Sequence, residues 1–542
     1  MAAKSKNQKL YTVFLDLKAA YDSVRRTRMW DHLENIKAPL YLRQAIIAMY
    51  EGGVYVLVDG DKVSDEVAPN KGLKQGCPLS PLLYTLYTND MDNFLDTSEL
   101  GAHTAKEDTK VSHCDYADDT AITANTAAHL QRQLNRFHDY ANYKELTVNT
   151  DKTKVMVFFS ADSTRLPPFF YNGTELEVVK EFKYLGVLLK RDGKMTAASE
   201  QMARTFIGAI ARVRKAGTEL GIWNRKHAML WFFQVFALTA GLYGCQIWAT
   251  ALLSYMTSSK TTSHIYHTSF LKSLLGVKRA TQTHCILRET GQMPLYFYWF
   301  RCVMRFWNCL QTTNNTLLSR IVQADLRHAT RKGSWTYEVL SALDDVPNAQ
   351  HFAAATHTQD RVNMNDFEAV LRDQIINEWK ELDNLTPQET HASSRIMRTY
   401  HTHFGIPLGS APGWWDDRKR NKKPILPLYL RQDIPHQLSR SLSCLRLSSH
   451  NLQVEVQRHQ ANRLAYELRI CNKCGLYTVQ DEEHIILDCP SHDLTQLRTQ
   501  FQFLFDAIPA NSTARLRDFI NQTDTLRVAE FVDKCLKSCA SI

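Results

Sequence analysis

His113-Cys114-Asp115-Tyr116-Ala117-Asp118-Asp119-Thr120-Ala121-Ile122 is the stretch on which the fold turns. The β-favouring residues from Lys110 to Asp115 run into two adjacent acids and then into Thr120 to Thr123, a pattern that predicts strand, tight turn, strand. The acids fall at the tip. Adjacent like charges repel, so such a pair stands either in full solvent or beside divalent cations that neutralise it. A third acid favours the second reading. Asp16 follows Tyr11-Thr12-Val13-Phe14-Leu15, which are almost all β-branched or large and apolar, and therefore closes a predicted buried strand. A carboxylate there is costly without a partner. If the two segments pair, Asp16, Asp118 and Asp119 converge, and the cluster suits two Mg²⁺ ions about 3.5–4 Å apart that activate an attacking hydroxyl and stabilise a leaving phosphate oxygen.

Further blocks accompany these acids: Gly72-Leu73-Lys74-Gln75-Gly76-Cys77-Pro78-Leu79-Ser80-Pro81, Asn149-Thr150-Asp151-Lys152-Thr153-Lys154 and Phe182-Lys183-Tyr184-Leu185-Gly186. Gly72 and Gly76 permit backbone to approach a ligand closely, and Ser80-Pro81 predicts an N-cap followed by proline at the first helical position. The helix expected over about 81–95 carries Leu82, Leu83, Leu86, Tyr87 and Phe94 at helical spacing.

Phe14-Leu15-Asp16-Leu17-x3-Tyr21-Asp22-Ser23-Val24 followed by Tyr116-Ala117-Asp118-Asp119, with those three blocks in the same order, resembles the palm of reverse transcriptases, most narrowly the non-LTR (LINE-like) retrotransposon group. The resemblance implies an RNA-directed DNA polymerase that extends a DNA primer 3′ end on an RNA template with deoxynucleoside triphosphates. Asp16, Asp118 and Asp119 would ligate the two Mg²⁺ ions. Gln75 matches the glutamine at the incoming nucleotide, and Tyr21 the position whose ring blocks a ribose 2′-hydroxyl and so favours a DNA product. Lys152 matches a lysine near the nucleotide's phosphates, a candidate general acid for pyrophosphate departure. A solvated surface lysine is the competing reading, and Lys154 is a neighbour suited to the same role. Phe182 to Gly186 resembles the hairpin that grips the primer end, and reads equally as a buried strand ending in a glycine turn.

His227 to Ser259 holds no charged residue apart from its histidine and is long enough for a membrane span. Gln234, Thr239, Gln246, Thr250 and Ser254, with glycines at 241 and 244, argue instead for buried helices and no membrane. Gly241 to Trp248, Leu275 to Thr281, Glu289-Thr290-Gly291 and Pro294 resemble the helical thumb of the same enzymes. From 311 to 404 the chain reads as helical and polar, and His351, His357, His401 and His403 lack metal spacing. The glycines and prolines between 405 and 435 mark a linker. Within it Trp414-Trp415 precedes Arg418-Lys419-Arg420-Asn421-Lys422-Lys423, which suits single-stranded nucleic acid, a solvated charge run or an import signal alike. Cys471-x2-Cys474-x9-His484-x4-Cys489 has the spacing of a zinc knuckle with four ligands and no open position, hence one structural Zn²⁺. Its surroundings resemble the cysteine-histidine segment that trails many non-LTR reverse transcriptases. Cys535 and Cys539 read as neighbours on one helix face.

The 542 residues, 44% hydrophobic with 21 Gly and 16 Pro, suffice for about three or four cores. The expected class is α+β. A right-hand polymerase palm with an antiparallel sheet and packed helices occupies 1–190, a thumb 191–310, a helical connector and basic linker 311–440, and a C-terminal region with the CCHC knuckle 441–542. The net charge of +9 favours phosphate backbones. Met1 to Leu10 is polar and basic, without the apolar core of a secretory signal, so most of the 12 cysteines are expected to be reduced and the protein intracellular, in the nucleus. The chain opens almost on the first catalytic strand, so the family's fingers, with their basic triphosphate-holding residues, are expected upstream, and no endonuclease is recognisable. A catalytically inactive nucleic-acid-binding remnant is the alternative function.

Overall fold

The structure is a computed structural model that describes residues 8–540 except 55, 68, 70, 96, 104–109, 162–165, 255–257, 314–315, 327–333, 354–359, 385–399, 401–402, 405–425, 461 and 463. The Trp414 to Lys423 run, His357 and His401 lie outside the described residues. The chain divides into two compact units, one of Met1–Ala198 with Thr312–Tyr337, the other of Ser199–Gln311 with Glu338–Ile542.

The first unit is built on a six-stranded sheet. Its strands lie in the order Phe169–Tyr171, Thr174–Val178, Lys154–Phe158, Leu10–Leu15, Asp119–Ala124, His113–Tyr116. Leu10–Leu15 is central and buried on both faces, which explains its continuous apolar run. Val13 and Leu15 face the larger core, while Phe14 joins Ala121 and Met156 on the other side. The helix Ala127–Lys144 covers the first face with Leu130, Leu134, Phe137 and Tyr140, whose three- and four-residue spacing makes one stripe. The Thr126 hydroxyl caps its start by accepting from the His129 N–H, and Glu145 ends it at φ 57. The hairpin of Glu181–Tyr184 and Val187–Lys190 covers the second face, with Phe182 stacked on Phe14 at 4.4 Å.

Two expectations need correction. The sheet is mixed, because Lys154–Phe158 pairs parallel with Thr174–Val178. Phe169–Tyr171 lies on the far side of that strand, so the hairpin through Asn172 (φ 46) and Gly173 (φ 77) returns the chain beside Lys154–Phe158 in the same direction. That Asn-Gly pair is a hairpin signal the sequence reading passed over. The helix expected over 81–95 covers Ser80–Thr88 and is followed by a single 3₁₀ turn, Met91–Asn93. Ser80 is not its cap. The buried Ser80 hydroxyl donates to the Lys74 carbonyl at 2.6 Å, and Leu82 is exposed while Leu83, Tyr84 and Tyr87 are buried.

In the second unit the described residues form helices and one β-bridge, Ile470 to Val479. The uncharged stretch after residue 226 breaks into short pieces: Lys226–Phe232, a wide turn over Phe233–Leu238, Thr239–Gly241 and Cys245–Trp248. Gly244, at φ 64, sits at one break. No helix among the described residues is long and apolar enough to cross a membrane. Trp248 packs edge-on against Trp299 of the Leu295–Gln311 helix at 5.7 Å. Leu275 to Glu289 is tied to the C-terminal segment of the same unit. The Lys278 N–H donates to the Ser449 hydroxyl at 2.7 Å and its ammonium to the His450 carbonyl at 2.6 Å, while Arg446 grips Glu289 through two bonds of 2.6 and 3.1 Å.

Candidate active site

The pairing of Leu10–Leu15 with Asp119–Ala124 sets the geometry. Its register runs from Tyr11 opposite Ala124 to Leu15 opposite Thr120, so the next residue on each side, Asp16 and Asp119, stand level at the same end of adjacent strands. Tyr116 pairs with Asp119 across the neighbouring hairpin, which leaves Ala117, at φ 56, and Asp118 at the turn. The consequence is electrostatic. Burial raises the pKa of Asp119, and the charges of Asp118 and Asp16 raise it further, because each opposes a further negative charge beside it.

Asp16 is held from a distant part of the chain. Its N–H donates to the Thr153 hydroxyl at 3.2 Å, and its carbonyl accepts from the Asn149 N–H at 2.8 Å. The paired strands Leu17–Lys18 and Thr147–Val148 extend the clamp. The same turn presents Lys152 to a recess of about 440 Å³ lined also by Asp16, Asp119, Asp151, Lys154 and Lys183. The two lysines differ. Lys154 donates to the Asp151 carbonyl at 2.6 Å and pairs with Glu177 at 2.7 Å, whereas Lys152 is exposed and its ammonium has no partner among the described residues.

Tyr21 stacks on Tyr84 with ring centroids 4.9 Å apart, and its hydroxyl pKa is raised by burial and then by Asp118, whose charge it feels. Gln75 is not in the recess of the aspartates. Its amide donates to both oxygens of Asp22 at 3.2 Å and lines a second recess of about 630 Å³ with Asp22, Arg26 and Lys74. Tyr21 connects the two regions, since its carbonyl accepts from the Leu73 N–H at 2.9 Å. Arg26 thus organises the site without having been picked out in the sequence, and Thr153 and Asp22 do so from inside quoted blocks in which no role was read for them. No spacing rule marks them, and each acts through a partner remote in the chain.

The Phe182 to Gly186 segment is a hairpin whose turn residues Leu185 and Gly186 both have positive φ. The Tyr184 hydroxyl donates to the Cys114 carbonyl at 3.3 Å, which joins this hairpin to the one carrying Asp118.

In the second unit Cys471, Cys474, His484 and Cys489 bring four ligand atoms within 4.8 Å of one another. The sulfurs of Cys471 and Cys489 are 3.9 Å apart, and the Cys474 sulfur lies 3.5 Å from His484 Nε2. A tetrahedron with metal–sulfur bonds of about 2.3 Å and metal–nitrogen bonds of about 2.0–2.1 Å has edges of about 3.8 and 3.6 Å. The turn is closed by the Cys471 N–H on the Thr478 carbonyl at 2.8 Å and by Gly475 at φ 66. The short helix His484–Asp488 carries His484, with Cys489 just beyond its end. Cys535 and Cys539, buried one turn apart on the helix Thr525–Ala540, are not part of the ligand group. Of the remaining histidines, His351 packs on Phe352 and His403 faces Glu483 at 3.8 Å.

The strand-end acid level with an acidic hairpin, beside a helix-covered mixed sheet, lies within residues 1–189, which match the family described as reverse transcriptase (RNA-dependent DNA polymerase). A retrovirus-related Pol polyprotein from a type-2 retrotransposable element of Drosophila melanogaster is 30% identical over 195 residues, 34% of this chain and 18% of that protein. The RNA-directed DNA polymerase from mobile element jockey of Drosophila funebris is 29% identical over 198 residues, 35% of this chain and 21% of that protein. Over residues 1–189 the chain is therefore similar to reverse transcriptases of the non-LTR, LINE-like retrotransposon group. The chain matches about a fifth of the length of these relatives. A telomerase of Candida tropicalis, solved with a fragment of telomeric RNA, covers 60% of this chain and 50% of its own at a TM-score of 0.28 and 11% identity, a likeness too slight to carry an argument.

Proposed function

We propose that this chain is an RNA-directed DNA polymerase that adds deoxynucleotides to a DNA 3′ end on an RNA template. The observation that carries the proposal is the strand register that stands Asp16 level with Asp119, with Asp118 at the adjoining turn. Three carboxylates so arranged suit a pair of Mg²⁺ ions, which supply charge neutralisation at the attacking and leaving oxygens. The other steps belong to the chain's own side chains. Lys152, exposed in the same recess, is the proton donor to departing pyrophosphate in preference to Lys154, whose ammonium is occupied by Glu177. The Tyr21 ring, beside Asp118, excludes a ribose 2′-hydroxyl, and Gln75 orients the nucleotide.

In this reading residues 199–311 act as a helical thumb and the Phe182 to Gly186 hairpin holds the primer end. Cys471, Cys474, His484 and Cys489 hold one structural Zn²⁺, supported by the near-tetrahedral edges of the group. The net charge of +9 suits contact with template and primer backbones, and the place of action is the nucleus.

The test is primer extension on an RNA template with Mg²⁺ and the four deoxynucleoside triphosphates, comparing the chain with Asp118→Asn. Synthesis that the substitution abolishes while template binding persists supports the proposal. Template binding without synthesis by either protein favours a non-catalytic nucleic-acid-binding remnant.

A further inference from the structure

Arg26 is 8% exposed, yet no carboxylate among the described residues pairs with it. Its guanidinium is satisfied by backbone. Nε donates to the Gly72 carbonyl at 3.0 Å, and Nη1 donates to the carbonyls of Pro69 at 2.6 Å and Tyr50 at 3.2 Å. The group also lies over the Tyr50 ring, 5.1 Å from its centroid. A buried cation with neutral partners is expensive to maintain, and its energy is recovered only while all three carbonyls point at it. Arg26 therefore fixes the position of Pro69 and of the chain from Gly72 onward.

That path leads directly to the nucleotide-facing residues. Gly72 N–H donates to the Val24 carbonyl at 2.8 Å and Leu73 N–H to the Tyr21 carbonyl at 2.9 Å, and Arg25 bridges Lys71. Gly72, at φ +91, rests so close that an added Cβ would lie 3.3 Å from the backbone of Asp22. Gln75 then reaches the Asp22 carboxylate. Lys74 braces the same ring from its own position, 5.5 Å from the Tyr50 centroid, while donating to the Met49 carbonyl at 2.5 Å. The segments 21–26 and 71–75 are thereby joined into one body whose buried pin is Arg26.

We propose that Arg26 is a positioning residue for nucleotide selection: by pinning Pro69 and the Gly72 to Gln75 loop onto the Tyr21 to Val24 segment it sets the separation of Tyr21 and Gln75, and so the discrimination between deoxynucleotides and ribonucleotides. The inference rests on the polymerase reading above. Lysine at this position keeps the charge but lacks the planar fork that reaches several carbonyls at once, and glutamine lacks both.

The experiment measures kcat and KM for deoxynucleoside and ribonucleoside triphosphates with Arg26→Lys and Arg26→Gln, below the melting temperature of each variant, together with amide hydrogen exchange at Gly72 and Leu73. Expected are a KM for deoxynucleotides raised roughly tenfold or more in Arg26→Gln with kcat changed less than about threefold, a smaller rise in Arg26→Lys, and weakened sugar discrimination in both. Protection at Gly72 and Leu73 falls in the same order. A loss of kcat alone, a loss that simply follows the folded fraction, or unchanged kinetics overturns the proposal. A wild-type chain that extends no primer speaks against the polymerase reading, and exchange then decides for the pin: lost protection in Arg26→Gln sustains it and unchanged protection overturns it.

Discussion

Replacing Glu289 with leucine should destabilise the second unit by about 4 kcal/mol. The figure follows from what the carboxylate touches. Glu289 is 2% exposed and accepts from Arg446 Nε at 2.6 Å and Nη2 at 3.1 Å, and from the Tyr429 hydroxyl at 2.8 Å. Arg446 is itself buried, its charge seated over the rings of Phe404 and Tyr429 at 4.0 and 5.8 Å. Stripping one partner from a buried ion pair leaves an uncompensated charge and costs about 3–5 kcal/mol. The orphaned tyrosine hydroxyl adds about 1–3 kcal/mol, and the buried leucine side chain offsets part of it by about 2 kcal/mol. Removing both charges is different. Glu289→Leu with Arg446→Met leaves no unpaired ion, so the double variant should lie within about 1–2 kcal/mol of the parent, a coupling of at least about 2 kcal/mol. Urea unfolding followed by tryptophan fluorescence reads both quantities, since Trp299 and Trp307 are buried in this unit. A single-variant cost under about 1 kcal/mol, or simple additivity, would refute the claim that residues 289 and 446 belong to one packed body.

Three further outcomes are expected. Because burial, Asp118 and Asp16 raise the Asp119 pKa, the folded chain holds that proton more tightly than the unfolded chain; the stability this confers is present below the unfolded value of about 3.9 and is lost as pH rises through the folded one. Asp119→Asn should therefore raise the melting temperature at pH 7 in chelator, lose the advantage below about pH 4 and abolish synthesis, and equal melting at pH 7 would contradict the crowding of the three acids. Elemental analysis should find about one zinc per chain, falling to near zero in Cys474→Ser, with a chelator lowering the melting temperature of the second unit; a zinc-free native chain would reject the site. Tyr21→Ala should increase ribonucleotide incorporation by roughly tenfold or more, and an unchanged preference would make the stack on Tyr84 the whole role of that ring.

The segments that announced themselves did so through near neighbours. Tyr11 to Leu15 reads as a buried strand from its own side chains, and Asp118-Asp119 reads as a turn because β-favouring residues flank it on both sides. Cys471, Cys474, His484 and Cys489 are separated by intervals that a short turn and a short helix can close, so their convergence was legible as spacing. The errors have equally local causes. Ser80-Pro81 carries the signature of a helix start, but a buried hydroxyl seeks the nearest acceptor, and here that is the Lys74 carbonyl. The parallel strand pair was hidden because periodicity reports which face a strand buries and carries no information about its direction.

Sequence alone was enough for the acids, their strand and hairpin, the metal-ligand spacing and the order of blocks that resembles a reverse transcriptase. Packing alone distinguishes Lys152 from Lys154, since only the folded sheet brings Glu177 to one of them. It also supplied the residues that hold the site in place. Thr153 meets Asp16 across 137 positions, Arg26 meets Gly72 across 46, and Arg446 meets Glu289 across 157. None of these pairs has a local signature, because a buried polar group finds its partner among whatever the closed core brings within about 3 Å, and that neighbourhood comes into being only when the chain has folded.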